Sequence, residues 1–175
     1  MRLIFLDTET TGLNRRRNGG QVNDGHRIIE IACVEMIDGV LSGRNIHAYL
    51  NPGMCIDKKA TKVHGINDEF LIGKKKFEDV SDELFEFLKG STIVMHNADF
   101  DIAFIDGEIR RLREKPNCIF SYIDSLRIAR ELYPGMDNTL KGLAERFNCD
   151  TTGLHGALKD ATLLAEVFGH LGVTL

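Results

Sequence analysis

Apolar and polar positions change rhythm along this chain, and the changes divide it into elements. The apolar run Leu3 to Leu6 is too short for a helix and reads as a buried strand. Two acids two positions apart, Asp7 and Glu9, stand at its end, before Thr11 and Gly12 break the chain. Asn14 to Gly25 is polar and holds Gly19, Gly20 and Gly25, the composition of a loop. His26 to Met36 is rich in β-branched and apolar residues, Asp38-Gly39 is a hairpin signal, and Val40 to Leu50 reads as the return strand. These three strands are expected to form an antiparallel meander, closed by Asn51-Pro52-Gly53. Residues 54 to 77 are weakly periodic, with short helices expected near Ala60 to Val63 and Asp68 to Leu71.

From Phe77 the period becomes helical. Phe77, Val80, Leu84, Phe85 and Leu88 share one stripe, and Gly90 is the stop. Thr92 to Met95 is a short apolar strand ending at His96-Asn97. Ala98 to Arg113 then carries Phe100, Phe104, Ile105, Ile109 and Leu112 on one helical face. Cys118 to Ile123 reads as another strand, with Asp124-Ser125 capping a helix Leu126 to Leu132. Asn138 or Thr139 caps a helix from Leu140 to Phe147, and a last helix runs from Ala157 to Leu171. A meander followed by alternating helices and strands predicts a mixed α/β sheet with helices on its faces. Asp7 and His96-Asn97 then fall at strand ends, where open α/β sheets place ligands.

Length and charge narrow this picture. At 175 residues the chain is one domain by its length, with enough core to need no disulfide or structural metal. Cys33, Cys55, Cys118 and Cys149 are far apart with no CxxC, which argues against a zinc knuckle or redox pair and for reduced thiols, mostly in the core. The start MRLIFLDTE is neither a signal peptide nor a membrane span, so no membrane partner and a cytoplasmic location are expected. A net charge of −4 does not suit a protein that grips duplex nucleic acid through many phosphates. It does suit an enzyme that gathers acids around metals. The basic groups Arg15 to Arg17, Lys58 to Lys62 and Lys74 to Lys76 either contact a strand or are solvated loop charges.

The candidate chemistry starts from Asp7 and Glu9. Residues i and i+2 of a strand point to one face, so the two carboxylates repel unless something positive lies between them. A pair of Mg²⁺ or Mn²⁺ ions fills that role, because hard cations take carboxylate oxygens and two metals about 4 Å apart clamp a phosphoryl displacement. An isolated DxE is equally what two solvated acids at a turn look like. Asp99 lies in the first turn of the helix after His96, where the helix dipole favours an acid, Asp101 lies one turn in, placed to point back across the cleft mouth, and periodicity does not choose between them. His155 follows the loop residue Gly153, and Asp160 lies inside the last helix. His96, ending an apolar strand, reads as structural, and His26, His47 and His170 carry no special signal. Asp106 and Glu108 read as surface charges. Asn97 is placed to orient a strand end or a substrate phosphate, and Phe100 either stacks on a base or packs the helix.

In order, FLDTETTGL, HNADFDIAFID and HGALKDA resemble the three exonuclease motifs of the DEDDh family, which has an RNase H-like fold. HRIIEIACVE, the VHGI of Val63 to Ile66, the following NDEFL and the motif spacing are similar to the proofreading epsilon subunits of bacterial DNA polymerase III. The resemblance implies an α/β, RNase H-like mixed five-stranded sheet: the meander plus two further strands, flanked by helices. It implies metal-binding acids at Asp7, Glu9, Asp101 (rather than Asp99) and Asp160, and a general-base histidine at His155. Asp7 would bridge two divalent cations, Mg or Mn, with Glu9 and Asp160 on the ion that holds the attacking water and Asp101 on the other. Thr10 would touch the 3′ nucleotide, with Val63 and His64 lining the pocket for its base and sugar. The implied activity is 3′ to 5′ removal of deoxynucleotides from single-stranded or mispaired DNA ends, as in replicative proofreading. The implied partners are a single-stranded DNA 3′ end, the alpha (polymerase) subunit and the theta subunit. Full epsilon subunits continue into a polymerase-binding tail, which is expected to be absent here, so 1–175 is expected to be a single exonuclease domain and polymerase binding is not implied by the residues present. Three other readings stand beside this one: an RNA-trimming exoribonuclease of the same fold, an inactive polymerase-binding scaffold, and an aspartyl phosphotransferase. The scaffold predicts a replaced catalytic position, and none of the five is replaced. The phosphotransferase leaves His155 and Asp160 without a role.

Overall fold

The computed structural model describes residues 1–13, the backbone of 15–17 and 20–22, and residues 25–116 and 120–173. In chain order the elements are β1 (Arg2–Thr10), β2 (Arg15–Arg17), β3 (Gly20–Val22), β4 (Ile28–Ile37), β5 (Val40–Tyr49), α1 (Lys58–His64), α2 (Asp68–Leu71), α3 (Phe77–Leu88), β6 (Thr92–Met95), α4 (Ala98–Arg111), β7 (Ser121–Asp124), α5 (Ser125–Leu132), α6 (Leu140–Arg146) and α7 (Ala157–His170). Among the described residues the main sheet has five strands in the order β5-β4-β1-β6-β7. β4 is antiparallel to both β1 and β5, while β6 and β7 run parallel to β1. This is the mixed sheet that the hydrophobic pattern predicts, and its first three strands are the expected meander.

β1 is the central strand, and its alternation builds both layers. Leu3 and Phe5 enter one core with Val167 and Phe168 of α7 and Leu143 of α6. Ile4 and Leu6 enter the other, with Leu84 and Leu88 of α3 and Phe104 and Ile105 of α4. Each such side chain contributes about 1.5–3 kcal/mol when fully buried. The helices start where the capping signals stand: Asp124 accepts from the Leu126 amide at 3.0 Å, and Thr139 Oγ1 accepts from the Gly142 amide at 3.1 Å. Among the described residues no helix is long and apolar enough to cross a membrane.

Pairing along β1 creates an opening. β4 follows it to Thr10, but β6 pairs only from Leu3 to Phe5 before the chain turns into α4. Past Phe5 one edge of β1 is therefore open, and this is where the acids lie.

Several expectations change. β1 does not stop at Leu6: the β4 ladder carries it through Asp7 and Glu9 to Thr10, with an irregularity only between Glu9 and Thr10. The loop expected from Asn14 to Gly25 contains the antiparallel pair β2 and β3. The strand expected from Cys118 runs from Ser121 to Asp124. Glu108 is no surface charge: it is 1 % exposed, paired to Arg27 at 2.7 and 2.8 Å, and accepts from the Ile28 amide at 3.2 Å. Cys33 and Cys149 are buried free thiols, while Cys55 is exposed. Cys118 and the side chains of Arg15, Arg16 and Arg17 lie outside the described residues.

Candidate active site

Asp7 and Glu9 continue the Leu3–Phe5 face of β1, the face against which α7 packs. α7 begins at Ala157, so Asp160 sits in its first turn. The carboxylates of Asp7, Glu9 and Asp160 lie within 4.8 Å of one another, all half-buried. Among the described residues, the charged groups that shift Asp7 and Glu9 are all acids. Burial, and then Asp101, Asp160, Glu9 and Glu30, hold the Asp7 carboxyl well above its ordinary value. Burial, then Asp160, Glu30 and Asp101, push Glu9 up to about 8. Burial raises Asp160 as well, partly offset by the His155 amide and the His155 ring. Three carboxylates held this close, two of them shifted only by burial and other acids among the described residues, are the donor set that a hard divalent metal completes, so these residues fit Mg²⁺ or Mn²⁺.

Asp101 approaches from the other side of the strand. It is 3 % exposed and accepts a hydrogen bond from Thr8 Oγ1 at 2.7 Å. Burial pushes its carboxyl to about 7 against the lowering effect of Thr8. Its neighbour Asp99 is exposed, so burial separates the two acids that periodicity leaves equal. Asp101 is not among the three tightly clustered carboxylates, but it is close enough to raise Asp7 and Glu9.

His155 stands just before Gly156, the residue that starts α7. It is exposed and has φ 73°, the left-handed region that non-glycine residues rarely enter. Its amide reaches Asp160 Oδ1 and Oδ2 at 3.4 and 3.3 Å, which ties the histidine segment to a clustered acid.

Beside the acids lies a cavity of about 480 Å³ lined by Glu9, Thr10, Val63, His64 and Phe100, with Lys59 and Asp57 at its margin. Four of the five expected substrate contacts thus meet in one place. His64 is anchored from its own turn, its Nδ1 accepting from the Ile66 amide at 3.1 Å, and burial lowers its pKa against the raising effect of the Thr10 backbone. Phe100 lines the cavity and also packs on Phe104 with ring centroids 4.9 Å apart, so both readings of it apply. Val63 is exposed towards the opening. Asn97 is elsewhere. It has φ 75°, its amide donates to Asp124 Oδ1 at 3.1 Å, and it lines a separate cavity of about 690 Å³ with His96 and Arg130. His96 itself is satisfied by Ser125 Oγ and the Asn138 carbonyl, both at 2.9 Å.

One residue escaped sequence reasoning. Glu30, on β4, is 1 % exposed and stands opposite Glu9 in the ladder. It accepts from His47 Nε2 at 2.7 Å and adds its charge to the field on Asp7, Glu9 and Asp160. The signal was visible as an acid interrupting the apolar run of HRIIEIACVE. His47, given no role by the sequence, is its partner.

Comparison with known proteins agrees with this geometry. A family model described as "Exonuclease" matches residues 4–168. The DNA polymerase III subunit epsilon of Salmonella typhimurium is 46% identical over 172 residues, covering 95% of this chain and 70% of that one. The epsilon subunit of Escherichia coli K12 is 45% identical over 172 residues, with the same coverage of 95% and 70%. That of Rickettsia conorii is 44% identical over 176 residues, covering 98% of this chain and 74% of its own. Among solved structures, Exonuclease X in complex with 5′-overhanging duplex DNA superposes with a TM-score of 0.74 at 26% identity, covering 97% of this chain and 90% of that one. Escherichia coli Exonuclease I in complex with a dT13 oligonucleotide shares the fold, with a TM-score of 0.81 at 16% identity over 97% of this chain and 40% of its own. On these matches the chain belongs to the exonuclease family that includes the DNA polymerase III epsilon subunits, and its chemistry is that of a divalent-metal-dependent 3′–5′ exonuclease.

Proposed function

We propose that this chain removes 3′-terminal deoxynucleotides one at a time from single-stranded or mispaired DNA ends, as the proofreading exonuclease of a DNA polymerase III. The observation that carries the reading is the convergence of Asp7, Glu9 and Asp160 within 4.8 Å, beside an open cavity of nucleotide size. Asp7, Glu9, Asp160 and, from the opposite face, Asp101 would hold two Mg²⁺ or Mn²⁺ ions. When bound, such ions polarise the scissile phosphate and lower the pKa of a coordinated water.

The chain's own residues supply the rest. Thr8 fixes the Asp101 carboxylate, and the tie between Asp160 and the His155 amide keeps the histidine segment at the edge of the cluster. His155 takes a proton from the attacking water at an imidazole nitrogen, a task for which histidine is the side chain most often used. The water oxygen bonds to phosphorus, the bond from phosphorus to the preceding O3′ breaks, and a nucleoside 5′-monophosphate leaves. Val63 and Phe100 give the terminal base apolar walls, and Thr10 and His64 face its sugar. Lys59, at the margin, is placed for a phosphate.

Similarity to epsilon subunits supports the polymerase subunit as a partner, theta as a second, and the cytoplasm as the compartment. The test is release of 3′-labelled mononucleotides from matched DNA and RNA oligomers by wild type and His155→Ala. DNA is expected to be the better substrate. The variant should lose about 10²–10⁴-fold in kcat while keeping Mn²⁺ and DNA binding. Faster trimming of RNA would replace the substrate assignment, and wild-type turnover by the variant would remove His155 as the base.

A further inference from the structure

A second group of ligating side chains lies at the far end of α7. Asp160 is in the first turn of that helix, whereas Glu166 and His170 are in its last turns, roughly 9 and 15 Å further along at 1.5 Å per residue. Glu166 and His170 are four residues apart and share a face. Cys149 reaches the same face from the chain that leaves α6. Its amide bonds to the Ala144 carbonyl at 2.9 Å, and Asn148, at φ 58°, turns the backbone there.

The thiol of Cys149, a carboxylate oxygen of Glu166 and a ring nitrogen of His170 all lie within 4.8 Å of one another. Burial, and then the Glu166 carboxylate beside it, raise the Cys149 thiol above its ordinary value. The His170 ring is stacked on Phe147, with centroids 5.1 Å apart and planes 21° from parallel, so its direction is supported by packing. Cys149 is 8 % exposed, which leaves the sulfur shielded behind two exposed ligands.

We propose that Cys149, Glu166 and His170 form a second metal site, for a zinc-like divalent ion, distinct from the carboxylate cluster. The donor set is one thiolate, one imidazole and one carboxylate, a combination that zinc accepts in tetrahedral geometry. At metal–ligand distances of about 2.0–2.3 Å the donors of a tetrahedral site stand roughly 3.3–3.8 Å apart, so closure asks for a movement of about 1 Å. Glu166 and His170 are exposed and free to make it. The Cys149 proton passes to solvent as sulfur binds the metal, two negative ligands then balance the +2 charge, and water takes the fourth position. The carbonyl end of α7 adds a field that favours a cation. Mg²⁺ does not compete, because a hard ion avoids thiolate. The ion would clamp the α6–α7 junction, and so the helix that carries Asp160.

Cobalt tests the proposal. With millimolar Mg²⁺ present to occupy the carboxylate cluster, Co²⁺ titrated into the reduced protein should produce a thiolate-to-cobalt charge-transfer band that saturates at one equivalent and is abolished by one equivalent of Zn²⁺. A site made only of carboxylates gives no such band. Cys149→Ser should lose the band, Cys55→Ser should keep it, and His170→Ala and Glu166→Gln should each weaken Co²⁺ binding about tenfold or more. Under the same conditions Zn²⁺ at about a hundredfold excess over its Kd should raise the wild-type Tm by about 5–10 °C. His170→Ala, an exposed change that spares the core, should lose that shift even if Cys149→Ser proves poorly folded. No band in wild type, a band that survives in Cys149→Ser or vanishes in Cys55→Ser, or an unchanged Zn²⁺ shift in His170→Ala would overturn the proposal.

Discussion

Removing the metals should make this protein less stable as pH rises, and Glu9 shows by how much. In the metal-free chain, burial and the surrounding acids move the Glu9 carboxyl from 4.5 to about 8. An unfolded chain releases that proton near pH 4.3. Between these values the folded state holds a proton that the unfolded state has lost, so the stabilisation is complete below about pH 4.5 and is lost as pH rises through about 8. Each pH unit in that window is worth at most ~1.4 kcal/mol, which bounds the whole effect at about 5 kcal/mol. Glu9 is only half-buried, and solvent screening reduces this to about 1–3 kcal/mol. Asp7 and Asp160 are raised too and act in the same direction. The assay is urea unfolding in EDTA at about pH 5 and about pH 9, for wild type and Glu9→Gln. Wild type should lose about 1–3 kcal/mol more than the variant between the two conditions. Millimolar Mn²⁺ should restore the wild type at high pH, because it binds only the folded cluster. Parallel pH profiles for the two proteins, or a wild type that gains stability above pH 8 in EDTA, would refute the reasoning.

Other perturbations follow from packing and pairing. A Cβ at Gly12 would lie 2.4 Å from His26 Cε1 and 2.6 Å from Asp57 Oδ2, so Gly12→Ala should lower stability by about 1–3 kcal/mol, read as a drop in Tm. Arg27→Leu leaves the Glu108 carboxylate buried without its partner and should remove about 3–5 kcal/mol in urea unfolding, whereas Arg27→Leu combined with Glu108→Leu should recover much of it. Glu30→Gln takes one negative charge from behind the cluster while keeping the side chain's shape. It should weaken Mn²⁺ binding about tenfold, measured by calorimetry, and an unchanged Kd would remove Glu30 from the metal field.

What the sequence made legible was periodic. α3 runs from Phe77 to Leu88 and β6 from Thr92 to Met95, as the apolar spacing requires, because burial on one stripe is a local property of the pattern. The end of β1 was not legible: acids at its tip look like a strand end, yet the β4 ladder holds the backbone straight to Thr10 whatever the side chains do. Asp99 and Asp101 differ only in what α4 packs against, and the hydroxyl that selects Asp101 comes from Thr8 on β1, far away in the chain. Glu108 and His47 looked like ordinary polar residues because their partners, Arg27 and Glu30, are brought to them by the sheet. Only Glu30 gave a usable hint, as an acid inside an apolar strand, placed beside a neighbouring strand that already carried two. Motif order brought together the acids of the cluster and four of the five expected substrate contacts, while Asn97 lines a second cavity beside His96.

β1 belongs to the beginning of the chain and α7 to its end, and the tight cluster needs both: Asp7 and Glu9 from one, Asp160 from the other. Contacts this distant in sequence form only after the intervening sheet and helices have closed their loops. A nascent chain that has exposed its first two acids is therefore no nuclease, and neither is a chain from which α7 has frayed. Activity against nucleic acid is thus expected to appear only once β1 and α7 have come together, and copies in which the two are still apart are expected to be unarmed.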